Sequence, residues 1–202
     1  MGSKDISEQK QDSDANSKSL VQPKLDYCSQ LWSPTDQSSI SKLELIQKQL
    51  VDRIRCPSLV GLNYWEKLSQ LQLYSSKRRR ERYQLIFLWK ISQGMVSGYD
   101  LRYTSGMGRR GREIIPNPVV RAAPSCVRKA RENSLGVRGA QIFNLLPEKL
   151  RCTNSQHIDL FKNHLDVFLA SIPDQPTMTG LGRAAQSNSL LHQLPLFYSM
   201  TV

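Results

Sequence analysis

Apolar residues recur every three or four positions in two stretches of the chain, a spacing that places them on one face of an α-helix. The first stretch covers residues 38–54, and its predicted buried stripe consists of Ile40, Leu43, Ile46, Leu50 and Ile54. The second covers residues 154–172, with a stripe of Ile158, Phe161, Leu165, Phe168 and Ile172. Ser38 or Ser39 can cap the first helix, because a hydroxyl oxygen accepts a hydrogen bond from the free amides of a helix start. Asn154 or Ser155 can cap the second in the same way.

A third helix is predicted for residues 75–94, whose character changes from basic to apolar along its length. Its second half, residues 83–91, is apolar on nearly every side, which is typical of a helix buried in the centre of a domain. Gly94 is suited to end this helix, since glycine readily adopts the left-handed conformation found after helices. Shorter helices are predicted after Asn63, which can act as a cap, and over residues 140–145.

Glycine and proline are concentrated in residues 94–137, which predicts loops with short strands at most. The candidate strands are residues 114–115, 118–121 and 127–131. The sequence therefore predicts a mainly α fold, namely a small helical domain with a basic Gly/Pro-rich loop region, at most one short hairpin, and disordered tails. The helical region is expected over residues 19–172, between a disordered polar tail (residues 1–18) and a loosely ordered C-terminal tail (residues 173–202).

The positive charge is concentrated in the middle of the chain. The 202 residues include 28 Lys and Arg and 17 Asp and Glu, which gives a net charge of +11. Residues 77–151 contain 17 of the basic residues but only five of the acidic ones, so the whole excess lies in this window. Such a window attracts polyanions, phosphate backbones most obviously, although a solvated basic surface without a partner gives the same pattern.

Two groups of cations stand out inside this window. The first, at the start of the third helix, comprises Lys77, Arg78, Arg79, Arg80 and Arg82. Cations at that end of a helix oppose the helix dipole and cost up to about 1 kcal/mol each, which indicates that they contact phosphate. The alternative is that they spread over the domain surface. The second group, Arg109, Arg110 and Arg112, belongs to GMGRRGR, which lacks the complete pattern of a P-loop and fits a flexible loop that contacts a backbone non-specifically.

The sequence contains no recognisable catalytic or metal-binding spacing. The four cysteines (Cys28, Cys56, Cys126 and Cys152) lack the short gaps of zinc sites and are predicted to be reduced packing residues. Clustered carboxylates for two-metal phosphoryl transfer and a nucleophile elbow are also not found. We therefore expect no catalytic residue, no metal and no cofactor.

The sequence has neither an export signal nor an apolar run of membrane-spanning length. An intracellular protein, nuclear or cytoplasmic, is therefore expected.

Several segments occur in a specific order, namely LVQPKLDYCSQLWSP, YWEKL, RRRERY, WKI, VRKARENSLGVRGAQIFNLLPEKLR and FKNHLD. In this order they resemble the region downstream of the palm in reverse transcriptases of non-LTR, LINE-type (Jockey-like) retrotransposons. The resemblance covers residues 19–194. It implies a thumb and C-terminal extension that lie along the template–primer duplex and the element's RNA. It also implies that Arg128, Lys129 and Arg131 contact backbone phosphates together with the two groups above.

The resemblance also defines what this chain lacks. The aromatic-x-Asp-Asp turn and the distant Asp of the polymerase centre do not occur, so we expect a catalytically incomplete fragment of an RNA-directed DNA polymerase. The expected partners are RNA, DNA or an RNA–DNA hybrid, together with a palm domain supplied by a longer parent protein. The alternative is a helical scaffold or protein-interaction module without a nucleic-acid role. In the absence of a palm, the apolar face of residues 25–32 is expected to be exposed.

Overall fold

The computed structural model describes residues 22–34, 36–99, 101–102, 113–116, 124–151, 157–176 and 187–200. Helices predominate in this part of the chain, which confirms the predicted mainly α fold. In chain order they are α1 (Gln22–Asp26), α2 (Ser29–Trp32), α3 (Gln37–Arg53), α4 (Tyr64–Gln70), α5 (Ser76–Ser92), α6 (Ser125–Glu132), α7 (Ala140–Asn144), α8 (Glu148–Arg151), α9 (Ile158–Ala170) and α10 (Leu190–Met200). A 3₁₀ turn (Pro57–Leu59) follows α3, and a π-helix (Leu135–Gly139) runs directly into α7.

Extended structure in the described residues amounts to a single backbone bridge in the Gly/Pro-rich region. It lies at Ile114, and the neighbouring N–H of Ile115 donates to the carbonyl oxygen of Arg102 at 2.7 Å. The predicted strand at residues 118–121 lies outside the described residues, as does the N-terminal tail. The predicted strand at residues 127–131 is wrong, because these residues belong to α6. A helix of only two turns is too short to produce an apolar stripe that recurs along the sequence.

The chain divides into two compact units rather than the single helical region predicted for residues 19–172. The first unit is Met1–Arg80 and the second is Glu81–Val202. The boundary falls inside α5, so the first turn of this helix belongs to the first unit and its later turns belong to the second. The basic residues up to Arg80 therefore lie in the first unit, whereas Arg82 and the apolar half of α5 lie in the second.

In the first unit, the stripe predicted for α3 is confirmed in part. Ile54 is buried and the other predicted residues are half-buried, except Ile46, which is 40% exposed. Within the helix itself the buried residues are Gln47 and Val51. Gln47 lies inward because both ends of its amide are bonded. Its Nε2 donates to the carbonyl oxygen of Tyr74 at 2.8 Å, and its Oε1 accepts from Ser76 Oγ at 2.9 Å. A polar residue that satisfies its hydrogen bonds can be buried at little cost, and periodicity of apolar residues does not detect it.

Polar side chains cap both α3 and α4, as predicted. The cap of α4 is the predicted residue, whereas the cap of α3 is a different residue that lies earlier in the chain. Asp36 caps α3, and its carboxylate accepts from the N–H of Ser39 at 2.7 Å. The predicted caps, Ser38 and Ser39, lie inside this helix instead. Asn63 caps α4 as predicted, and Glu66 completes a capping box by accepting from the N–H of Asn63 at 2.7 Å.

The segment that joins α3 to α4 carries an apolar cluster of its own. Its buried members are Ile54, Cys56 and Leu59, with Leu62 and Leu71 packed against them. Cys56 is thus a reduced packing residue, as predicted. Cys28 is half-buried and Cys126 is exposed, so the packing prediction is wrong for Cys126. Cys152 lies outside the described residues.

The core of the second unit is built on the apolar half of α5. The rings of Trp89 and Phe161, from α5 and α9, stack with centroids 4.8 Å apart and planes 9° from parallel. Both side chains are fully buried, as are Leu85 and Leu88 of α5. Burying side chains of this size contributes about 1.5–3 kcal/mol each. The prediction that this half of α5 is buried is therefore confirmed, and Gly94 follows with the predicted left-handed conformation, at a φ of 72°.

The C-terminal region differs from the loose tail predicted for residues 173–202. It contains α10, whose Leu190 and Leu194 are fully buried. The buried carboxylate of Glu81 accepts from Ser189 Oγ at 2.5 Å and from the N–H of Leu190 at 2.8 Å, which fixes the start of α10. Pro195 lies inside this helix. Since proline usually interrupts helices, the sequence around it does not indicate one.

Candidate nucleic-acid interface

The cations predicted to bind phosphate at the start of α5 are located in the protein interior. We call residues 77–82 the basic turn. Lys77, Arg78, Arg79 and Arg80 are all buried, and Arg82 is half-buried. Their contact with phosphate stays a prediction. In this structure, groups of the protein itself lie against these charges.

In the first unit, two arginines of the basic turn bind acceptors on α1. Arg79 Nε donates to Asp26 Oδ1 at 3.0 Å, and Arg79 Nη2 donates to Gln47 Oε1 at 3.0 Å. Arg80 Nη2 donates to the carbonyl oxygen of Leu25 at 2.6 Å. Burial lowers the pKa of the Arg80 guanidinium, an effect that the negative charge of Asp26 opposes and the positive charge of Arg79 reinforces. Asp26 therefore offsets the accumulation of positive charge at the start of α5.

In the second unit, Arg82 faces the carboxylate of Asp166 on α9. The Nε–Oδ1 and Nη2–Oδ2 distances are 2.5 and 2.7 Å, the two-point geometry that guanidinium and carboxylate groups favour. The carboxylate of Glu81, next in the helix, lies 3.6 Å from Nη2 of Arg138, which also donates to Ser189 Oγ at 3.0 Å. The charged residues of this part of the basic turn thus hold elements of the second unit together.

The cations of α6, by contrast, are accessible to solvent. Lys129 and Arg131 are exposed, and the Arg128 side chain is 43% exposed. Arg128 Nε lies 3.9 Å from Glu132 Oε1, a loose pair one helical turn apart whose members are both open to water. Such exposed pairs contribute little and do not hold the guanidinium in place. α6 therefore presents three cations within one turn of helix, with one neighbouring acid.

The other side of α6 is apolar and also exposed. No residue of this helix is buried, and Val127 is 44% exposed beside the exposed Cys126 and Ala130. Isolated helices of this length are marginal in water, and most helices in proteins gain their stability by packing an apolar face. α6 therefore exposes an apolar face as well as its cations.

A further set of exposed cations was missed by sequence reasoning. α3 exposes Lys42, Lys48 and Arg53 on its outward side, in the first unit. These residues lie outside the basic window, and acidic residues nearby in the sequence conceal them in a count of net charge. Their positions between the apolar residues of the predicted stripe would have indicated that these three side chains face outward from α3. The predicted loop cations, Arg109, Arg110 and Arg112, lie outside the described residues.

The described residues include no group of three or more His, Cys, Asp or Glu side chains that could hold a metal ion. Among their helices, none has both the length and the apolar character required to cross a membrane. Comparison with known proteins gave no match to a family model, to a curated protein or to a solved structure. The candidate interface on α6 therefore rests on the exposure, spacing and charge of its own residues.

Proposed function

We propose that this chain binds the phosphate backbone of nucleic acids through α6 and has no catalytic turnover of its own. The observation that supports this function is the exposure of Arg128, Lys129 and Arg131 on a helix with no buried side chain. Lys and Arg contacts to phosphate supply most of the sequence-independent affinity of nucleic-acid-binding proteins. The basic turn is left out of this interface, since its cations are buried.

We propose in addition that the chain derives from a LINE-type reverse transcriptase and is a catalytically incomplete fragment of that polymerase. The support is the order of the segments from YWEKL to FKNHLD, together with the missing aromatic-x-Asp-Asp turn. The corresponding ligands are RNA, DNA or an RNA–DNA hybrid, with a palm domain as the partner within a longer parent protein. α6 lies in the VRKAREN segment, one of those that carry the resemblance.

Two matched variants test the role of α6. The α6 triple variant carries Arg128→Gln, Lys129→Gln and Arg131→Gln, which remove three charges and keep good helix-forming residues. The α3 triple variant carries Lys42→Gln, Lys48→Gln and Arg53→Gln and removes the same charge from another exposed helix. Fluorescence anisotropy with an RNA–DNA hybrid at low salt should show affinity reduced about tenfold or more by the α6 change and much less by the α3 change. Equal losses in both variants, or no loss in either, would contradict the proposal.

A partner-binding helical module is the second candidate function, and an exposed apolar face on α9 favours it. Leu160 and Val167 are 48% and 75% exposed, and a separation of seven residues places them on the same side of the helix. Binding through such a face should be nearly independent of salt, whereas binding to phosphates weakens steeply as salt is added. Titration at two salt concentrations therefore separates the two functions.

A further inference from the structure

The structure assigns a second, latent phosphate site to Arg79 and Arg80, covered in this conformation by the segment formed by α1 and α2. This inference rests on the proposed nucleic-acid binding and adds a regulated site to it. Two acceptors on α1, the Asp26 carboxylate and the Leu25 carbonyl oxygen, lie against the two guanidinium groups at 3.0 and 2.6 Å. We call residues 22–32 the covering segment.

The acceptors of the covering segment have the chemistry of phosphate oxygens. Guanidinium groups bind carboxylates and phosphates through the same charged, planar pattern of N–H donors. The site lies on the first turn of α5, where the helix dipole adds to the attraction for an anion. The N–H groups of Ser76 and Arg78 at this helix start are already bonded, to Glu44 Oε2 at 3.0 Å and Ser75 Oγ at 3.1 Å, so the guanidinium groups supply the donors of the site. The first turn of α5 has no acidic residue of its own, so Asp26 reaches the cations from another helix. An anion from outside could take the place of Asp26 without losing these interactions.

Two buried polar atoms show that the covering segment does not satisfy the site completely. Among the described residues, neither Nη1 of Arg79 nor Oγ of Ser29 on α2 has a hydrogen-bond partner, and both atoms are buried. A buried polar atom without a hydrogen-bond partner destabilises the folded chain. A phosphate group has more acceptor oxygens than a carboxylate, and it can therefore bond the guanidinium donors that Asp26 leaves unsatisfied.

The covering segment is also built to open at low cost. α1 has five residues and α2 has four, lengths at which a helix is not stable by itself. Of the two residues that join them, Cys28 has a φ of 51°, a left-handed conformation that is unfavourable for a residue other than glycine. Tyr27 of the predicted apolar face is 75% exposed, and Leu25 is half-buried. Segments with few buried contacts open locally well below the free energy of global unfolding.

Substitution of Asp26 tests the latent site. Asp26→Asn removes the charge that pairs with Arg79, and Asp52→Asn is the matched control, because Asp52 pairs with Lys67 at 2.7 Å on the surface of the same unit. Both changes are made in the full chain, with native α6 and in the α6 triple variant. With the RNA–DNA hybrid as probe, Asp26→Asn should bind at least about fivefold more tightly than Asp52→Asn in both backgrounds. Equal affinities of the two variants would overturn the inference.

The same titrations separate this inference from the proposed role of α6. If the α6 triple variant loses binding and Asp26→Asn behaves like Asp52→Asn, α6 is the interface and the latent site is wrong. If the α6 triple variant binds like the native chain while Asp26→Asn binds more tightly, the result supports the latent site and contradicts the proposed binding through α6.

Hydrogen exchange of the unmodified chain gives a readout that does not depend on how well the Asp26 variant folds. The expected result is faster exchange of the amides in residues 22–32 when the hybrid is present at saturating concentration. The N–H of Tyr27, which donates to the carbonyl oxygen of Pro23 at 2.9 Å, is a convenient reporter. Unchanged or slower exchange of these amides, with hybrid bound, would overturn the inference.

Discussion

Asp36 stabilises the start of α3 as a carboxylate. Hydrogen bonds with the side chain and the backbone of Ser39 hold the pKa of Asp36 below its ordinary value of 3.8. A carboxyl group whose pKa is lower in the folded chain than in the unfolded chain adds stability above the unfolded value. That contribution is lost as the pH falls from the unfolded value through the folded one. The cap of α3 is therefore weakened in acid.

Replacement of Asp36 by Asn should remove this dependence and keep the cap. Asn caps helices about as well as Asp, so Asp36→Asn and the native chain should have similar urea midpoints at about pH 6. Between about pH 6 and pH 2.5, the midpoint of the native chain should fall further than that of the variant, because only the native cap is protonated. Equal falls in the two proteins would show that Asp36 does not contribute as a carboxylate.

At the scale of elements, α10 is an integral part of the second unit. Its Leu194 is fully buried, whereas Leu196, two residues further on, is 46% exposed. Leu194→Ala should reduce the free energy of unfolding by about 2–5 kcal/mol, the cost of removing a buried leucine and leaving a cavity. Leu196→Ala, the control in the same helix, should change it by about 0.5 kcal/mol or less. Chemical denaturation followed by circular dichroism measures both, and similar effects of the two substitutions would mean that α10 is not docked in solution.

The helices that could be predicted from sequence are those with several turns of periodic apolar residues or a strong cap. α3, α5 and α9 have such a repeat, and Asn63 identifies α4. α6 and α10 were not predicted, since α6 has two turns only and α10 contains Pro195. The contacts that fix α10 come from distant parts of the chain, for example the bond between Glu81 and Ser189, whose residues are 108 positions apart. Local sequence carries no signal for such a contact.

The sequence predicts which cations belong to the candidate site, but it does not predict which of them are accessible to solvent. The sequence shows that Arg79 and Arg82 are cations, and it does not show that Asp26 and Asp166 lie against them. These acids are 53 and 84 positions away in the chain. A buried guanidinium requires a carboxylate or another acceptor at short range, and only the folded structure brings the two together. The exposed cations of α6 were identified through the resemblance, not through the charge pattern of their own segment.

At the scale of the whole molecule, the net charge of +11 complicates any binding measurement. A protein of this charge is attracted to every polyanion at low salt, whichever of its surfaces makes contact. Each unit also has exposed cations of its own, on α3 in the first and on α6 in the second. Affinity at one salt concentration therefore does not identify the surface that contacts phosphate, whereas the dependence of affinity on salt counts the contacts that are made.

The α6 triple variant should change that dependence in a defined way. On a DNA duplex, the logarithm of the binding constant falls with the logarithm of the salt concentration, with a slope of about −0.9 for each phosphate neutralised. If Arg128, Lys129 and Arg131 each contact one phosphate, loss of their charges should make the slope shallower by about 2.7. Anisotropy titrations over a salt series measure this slope, and the α3 triple variant should keep the native value. A native slope in the α6 triple variant would show that these cations add only to the overall field, and the binding surface would then have to be sought elsewhere in the chain.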